Sequence, residues 1–286
     1  MNIDAIAATA DELGESALWD AAEGALYWLD LARPTLHRWD GSGDVRSSPV
    51  PLPAPLGALL PTSSREDLLL AAGRRLYRIS RTSAAVAPLE PELGLTPGTH
   101  VNDAKTDATG AIWLSTADVA ERAPVGGLVR ASDGTGAPER FVVTNGPAFS
   151  QDGSEVYVSD SVGGRVLAYG LREGMLGEGR LVVQFSEDDG LPDGLAVDAE
   201  HGIWVAHWDA GCLSRHDPSG TLTARVDLPA RHVTSLAFGG PDLEDLFVTT
   251  ARYELSPAEI AAHPGSGSVF RLRPGVRGVP AEPASL

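Results

Sequence analysis

Six short apolar strands recur along the chain at nearly constant spacing. They begin at Leu26 (LYWLD), Leu68 (LLLAA), Ile112 (IWLST), Val156 (VYVSD), Ile203 (IWVAH) and Leu246 (LFVTT), so successive starts lie 42, 44, 44, 47 and 43 residues apart. A turn with Gly or Asp precedes each strand. A second apolar strand follows, reading in order TLHRW, RLYRI, GLVRA, RVLAY, CLSRH and SVFRL. A period of roughly 40–45 residues is that of a four-stranded propeller blade, a unit that buries its faces only against its neighbours. The pattern therefore predicts an all-β, six-bladed β-propeller with four-stranded blades around a central channel, a single domain over residues 1–286. A strand near residues 3–8 is expected to pair with the last blade and close the ring. Helix is scarce, and SPAEIAA (residues 256–262) is its main candidate, as one or two turns in a loop.

Before each anchor strand lies an earlier one, and the first strand of a propeller blade lines the channel. Counted back from the anchors, Glu15 and Asn145 stand at position −11 and Asn102 and Asp193 at −10, while Gly57 and Ser235 take that place in the second and sixth repeats. Equivalent positions in different blades point toward one axis, so Glu15, Asn102, Asn145 and Asp193 form a predicted ring. All four are oxygen donors. Two carboxylates with two amide carbonyls suit a hard cation: Ca²⁺ first, with Mg²⁺, Mn²⁺, Zn²⁺ and Fe²⁺ as further possibilities. Unpaired carboxylates facing one another would repel and push their pKa values up. For any one of these residues, bonding of turn amides at a strand start is the plain alternative.

Charge excludes several partners. With 22 basic and 39 acidic residues the net charge is −17, a field that repels phosphate backbones and anionic membranes and attracts cations. Neither nucleic acid nor a membrane is an expected partner; a small-molecule substrate is, on a monomer or weak homo-oligomer. Cys212 is the only thiol, which rules out a disulfide framework and a cysteine metal site. The N-terminus lacks a basic stretch followed by a long apolar core, and no apolar run approaches the roughly 20 residues of a membrane helix. A cytoplasmic location is expected. No G-x-S-x-G elbow, H-E-x-x-H pair or P-loop is present.

Several polar residues near the ring need a reading. His100 stands two before Asn102, so strand alternation gives both the same face and lets the imidazole meet a channel ligand. The same alternation turns Asp103 away, to brace a loop, and puts Lys105, the only lysine, on the Asp103 face in an ion pair. Asp118 begins a blade-top loop from which it can reach a polar ligand. His207, Trp208 and Cys212 are expected to pack.

Five segments then resemble a known family in register: LGESALWD, HVNDAKTDATGAIW, TNGPAFSQDG, LPDGLAVDAEHGIWVAHW and AFGGPDLEDLFVTTA. They are similar to signature segments of the family that contains gluconolactonase, regucalcin (senescence marker protein 30) and luciferin-regenerating enzyme. TNGP and FGGPDL resemble its bacterial sugar lactonases most. The resemblance implies a six-bladed propeller with one divalent cation, held by Glu15, Asn145 and Asp193. It implies Asp193 as the general base and places Asn102 near metal and substrate. Family members often carry Arg where His100 stands, and imidazole does not replace a bidentate guanidinium equivalently. The expected activity is metal-dependent hydrolysis of an aldonolactone, such as a glucono- or xylono-lactone, to the aldonic acid. Asp193 is its proposed catalytic residue, and His100, Asn102 and Asp118 would hold substrate hydroxyls. The alternatives are a promiscuous lactonase, esterase or organophosphate hydrolase, which an apolar channel mouth would favour, and a non-catalytic calcium-binding propeller.

Overall fold

Alternation along the second strand of each blade divides its side chains between two neighbouring blades. In Ala25–Asp30, Ala25, Tyr27 and Leu29 cluster with Leu59, Leu68 and Leu70 of blade 2, whereas Leu26 and Trp28 cluster with Phe247 and Val269 of blade 6. In Asp67–Ala72, Leu68 and Leu70 face blade 1 and Leu69 and Ala71 face blade 3. Both faces of these strands are thus buried, which is why they read as continuous apolar runs. The computed structural model describes residues 2–285, and among them six such clusters lie one between each pair of adjacent blades. Each fully buried Leu or Val contributes about 1.5–3 kcal/mol, so the ring of clusters is the main stabilising feature.

The inner strands are Gly14–Asp20, Ala58–Leu60, Thr99–Thr106, Thr144–Phe149, Leu191–Val197 and His232–Gly239, in blades 1 to 6. From each, the chain meanders outward through antiparallel neighbours. Blade 6 takes its outermost strand from the N-terminus: Ile3–Ala7 pairs with Val269–Leu272 and closes the ring as expected. The blades are four-stranded as expected; in blade 3 three strands are continuous. In its outer position stands a single bridge, Val129 to Gly136. The segment there carries Gly134, Gly136 and Pro138, residues that weaken or interrupt a ladder. The predicted helix is Pro257–Ala262, started by a reciprocal Ser256–Glu259 capping box.

The C-terminal segment crosses the end of the channel where the inner strands finish. Gly278 donates to the Leu243 carbonyl, Ala284 to that of Pro61 and Ser285 to that of Gly110, so the segment runs from blade 6 to blades 2 and 3. Val279–Glu282 and the far halves of all six inner strands line a partly open cavity of about 200 Å³ at this end. The predicted ring lies at the other end, where the inner strands begin. No helix among the described residues is long and apolar enough to cross a membrane.

Candidate active site

Five of the six inner strands break register at the same height. The irregularities fall between Glu15 and Leu18, Val101 and Asp103, Asn145 and Ala148, Pro192 and Leu195, and Val233 and Leu236. A bulge releases consecutive side chains from strict alternation and re-aims them. The polar residues of the predicted ring sit at these bulges. Asn102 Nδ2 donates to Asn145 Oδ1 at 2.6 Å and to the Thr144 carbonyl at 3.2 Å, joining blades 3 and 4. Asn145 Nδ2 in turn donates to Ser161 Oγ at 3.1 Å.

Asp103 departs from its expected orientation. With Asn102 inside the bulge, strict alternation no longer holds, and the Asp103 carboxylate accepts the Ala104 amide at 2.7 Å and the Gly146 amide at 2.9 Å. It does brace a loop, but it also lies within electrostatic reach of Glu15 and Asp193. At the ring positions without an acid or amide, Gly57 and Ser235, the structure supplies inter-blade packing. A Cβ on Gly57 would stand 2.7 Å from the Ala71 carbonyl oxygen, and Ser235 Oγ accepts the Ala17 amide at 3.2 Å. Ser16, at positive φ in its bulge, similarly accepts the Leu59 amide at 2.6 Å.

Gly146 has a testable role here. Its φ is 39°, and a Cβ would meet the Leu195 backbone nitrogen at 2.4 Å. Gly146→Ala is expected to destabilise the fold by about 2–3 kcal/mol through strain and a backbone clash. Gly153→Ala, at φ 70° with its nearest neighbour at 3.5 Å, is expected to cost only about 1 kcal/mol. Equal shifts in the urea midpoints of the two variants would contradict this.

Carboxylates from blades 1, 3 and 5 therefore lie within electrostatic reach of one another. Burial, and then the charge of Asp103, push Glu15 up to about 8, against the pull of the Ser16 amide and Lys105. Burial, followed by Glu15 and Asp103, holds Asp193 well above the usual carboxylate range. Burial also raises Asp103, with Lys105 and two backbone amides opposing it. When all three are ionised they carry three negative charges beside one ammonium, an excess that a divalent cation offsets. Donors that are all oxygen, and carboxylates driven toward protonation without a counter-ion, fit a hard divalent ion. Among the described residues no three His, Cys, Asp or Glu side chains converge as a ready-made cluster. The predicted set contains only two such residues, Glu15 and Asp193, with the Asn145 amide as its third member.

Around this set, burial holds the half-buried His100 below the ordinary imidazole range, with the charge of Asp118 opposing. His100 is thus neutral at pH 7. Asp118 is itself buried, and its Oδ2 accepts the amides of Arg122 and Ala123, both at 2.9 Å. Those bonds, from Ala123 first, keep it below the usual carboxylate range and organise the loop at residues 118–123. Asp107 has a purely local task. It accepts the Thr109 and Ala111 amides and Trp113 Nε1, as Asp198 accepts those of Glu200, Gly202 and Trp204. His207 bonds Ser214 Oγ at 2.7 Å and packs on Phe185, while Trp208 stacks on His232 at 3.9 Å. Burial pushes the Cys212 thiol up to about 11, which makes it inert. Ser161 and the electrostatic part of Asp103 escaped sequence reasoning, the first for lack of any motif and the second because a bulge is invisible in a period-2 pattern.

A family model described as the SMP-30/Gluconolactonase/LRE-like region matches residues 13–252. A pentonolactonase of Haloferax volcanii is 31% identical over 98% of this chain and 97% of its own. An L-arabinolactonase of Azospirillum brasilense is 32% identical over 93% of this chain and 89% of its own. Among solved structures, a calcium-binding protein, regucalcin from Agrobacterium tumefaciens, superposes with a TM-score of 0.88 at 28% identity, covering 97% of this chain and 95% of that one.

Proposed function

The chain belongs to the SMP-30/gluconolactonase/LRE-like family, and on that premise we propose that it hydrolyses a sugar lactone to its hydroxy acid, with dependence on a divalent metal ion. The observation that supports this reading is that Glu15, Asp103 and Asp193 stand at the inner-strand bulges, with the charge of Asp103 acting on both others and that of Glu15 on Asp193, beside the hydrogen-bonded amides of Asn102 and Asn145. The named activities of the pentonolactonase and arabinolactonase relatives support the substrate class.

Water adds to the lactone carbonyl carbon, the bond from that carbon to the ring oxygen breaks, and the ring oxygen leaves as a hydroxyl. Once bound by Glu15, Asn145 and Asp193, a divalent cation, Ca²⁺ before the others, supplies Lewis-acid polarisation of the carbonyl. Asp193, holding the ion through one oxygen, takes the proton of the attacking water with the other; a ligated carboxylate is a weak base, which suffices because a lactone is an activated ester. Asn102, anchored on Thr144 and Asn145, fixes the height at which substrate rests. His100, neutral, bonds a hydroxyl of the substrate without attracting an anion, so neutral five- and six-carbon aldonolactones should outperform those bearing a carboxylate or phosphate. Asp118 holds the loop beside it.

Each turnover releases a proton as the acid ionises. The test is proton release by metal-loaded protein across a panel of aldonolactones, with turnover expected on at least one neutral member. His100→Ala should raise KM on that substrate more than it lowers kcat, because its contact is common to ground and transition states. Silence across the whole panel would reject the reading.

A further inference from the structure

An aromatic corner stands at the mouth of the channel, between blades 5 and 6. Trp208 ends the second strand of blade 5 and His232 begins the inner strand of blade 6, so both lie at the end where the oxygen ring is. Their rings stack with centroids 3.9 Å apart and planes 9° apart, and the buried His232 holds the plane of the half-buried indole. Tyr253, 40% exposed just beyond blade 6, sets its ring 6.4 Å from the indole at an angle of 59°. Trp208 pairs in register with Leu191, and His207 with Pro192, before the inner strand slips. Leu191 in turn stands two residues from Asp193, at most roughly 7 Å of backbone.

A polar rim borders this corner. Arg231 donates through Nε to Asp209 and through Nη1 to Glu259 at 3.1 Å. Asp209 Oδ2 and Arg231 Nη2 make no hydrogen bond among the described residues, which leaves one acceptor and one donor for a ligand. Two carboxylates around one guanidinium give the rim no surplus positive charge, so it suits hydroxyls rather than an anion. An alkyl chain or a protein face laid over Trp208 and Tyr253 would strip water from these three charges and return nothing to them. A pyranose ring offers both matching parts: a face of C–H bonds for the electron-rich aromatic surface, and hydroxyls for the rim.

We propose that the Trp208–Tyr253 corner is a subsite for a glycosyl unit, so that the substrates of this chain include glycosylated aldonolactones. The inference rests on the lactonase reading above and extends its site outward. In the six-membered lactone of a 4-linked disaccharide acid, the glycosidic oxygen sits on the carbon across the ring from the carbonyl. With the carbonyl directed into the oxygen ring, that bond points back to the mouth, where the corner stands. The glycosidic bond itself is untouched. Water adds to the lactone carbonyl carbon, the bond from that carbon to the ring oxygen breaks, and the acid formed gives up one proton.

The experiment measures kcat/KM by proton release from the metal-loaded protein, on gluconolactone and on the six-membered lactones of cellobionic, maltobionic and lactobionic acids. At least one disaccharide lactone is expected to exceed gluconolactone by about five- to tenfold, the worth of covering roughly 50 Å² of apolar C–H surface. Trp208→Leu and Tyr253→Ala are each expected to bring that ratio down toward unity. Trp208 also packs on His232, so Tyr253→Ala, at an exposed position, carries the test if Trp208→Leu does not fold. Disaccharide lactones no better than gluconolactone, with some simple aldonolactone still turned over, overturn this inference and leave the lactonase reading standing. A ratio that survives in the variants overturns the assigned subsite. Proton release from no lactone of either size overturns the lactonase reading and this inference together.

Discussion

Asn in place of Asp193 is expected to lower kcat on the best aldonolactone by about 10³-fold or more, a loss within the 10²–10⁴ that a positioned proton acceptor supplies. The substitution keeps the shape and removes both the charge and the proton-accepting oxygen. Its neighbours sharpen the contrast. Glu15 accepts the Ser16 amide and Asp103 is tied to two backbone amides, so neither replaces Asp193 as a base without moving. Metal content, measured alongside, separates two losses: an inactive variant that still holds its ion has lost the base, and one that has shed the ion has lost a ligand. His100→Ala serves as the internal reference. If it lost kcat as completely as Asp193→Asn with metal still bound, the imidazole would be the base and the two residues would exchange roles.

The fold was more legible in the sequence than the site. The blade period could be read because each second strand is buried on both faces, leaving uninterrupted runs such as LYWLD and IWVAH that no turn residue breaks. The ring closure by residues 3–7 was legible too, since an unpaired strand at one terminus and a three-stranded unit at the other complete each other. The outer strand of blade 3 was not, because Gly134, Gly136 and Pro138 weaken a ladder that the period alone suggests. In the site, counting back from the anchors named Glu15, Asn102, Asn145 and Asp193; the structure bonds Asn102 to Asn145 and sets Asp193 within the field of Glu15. The count erred on Asp103, whose placement depends on where the backbone slips by one residue. The same count gave −10 for Asn102 and Asp193 but −11 for Glu15 and Asn145. That uneven register was a trace of irregular inner strands, present in the sequence itself.

Chelated protein is expected to lose stability as the pH rises from about 4.5 to 8, and metal is expected to restore it. Unfolded carboxylates ionise near 4 to 4.5. In the fold, Glu15 is pushed up to about 8 and Asp193 and Asp103 are raised in the same direction. Between those limits the folded chain binds more protons than the unfolded one, so the slope of unfolding free energy against pH is negative. Stability from these groups is complete below the unfolded values and is lost as pH climbs through the folded ones. A bound cation reverses the trend: it needs ionised ligands, competes with protons, and gains affinity as they leave. An ion at 100 times its dissociation constant adds about 2.7 kcal/mol. For a chain of this size that is a rise in Tm of roughly 4–8 °C. The gap in Tm between calcium-loaded and chelated protein should therefore be small at pH 5 and widen toward pH 8. Glu15→Gln, which cannot titrate, should flatten the pH slope of the chelated protein, since its amide needs no proton to remain buried. A gap that stays constant or narrows with rising pH would mean that these carboxylates are not what the cation holds.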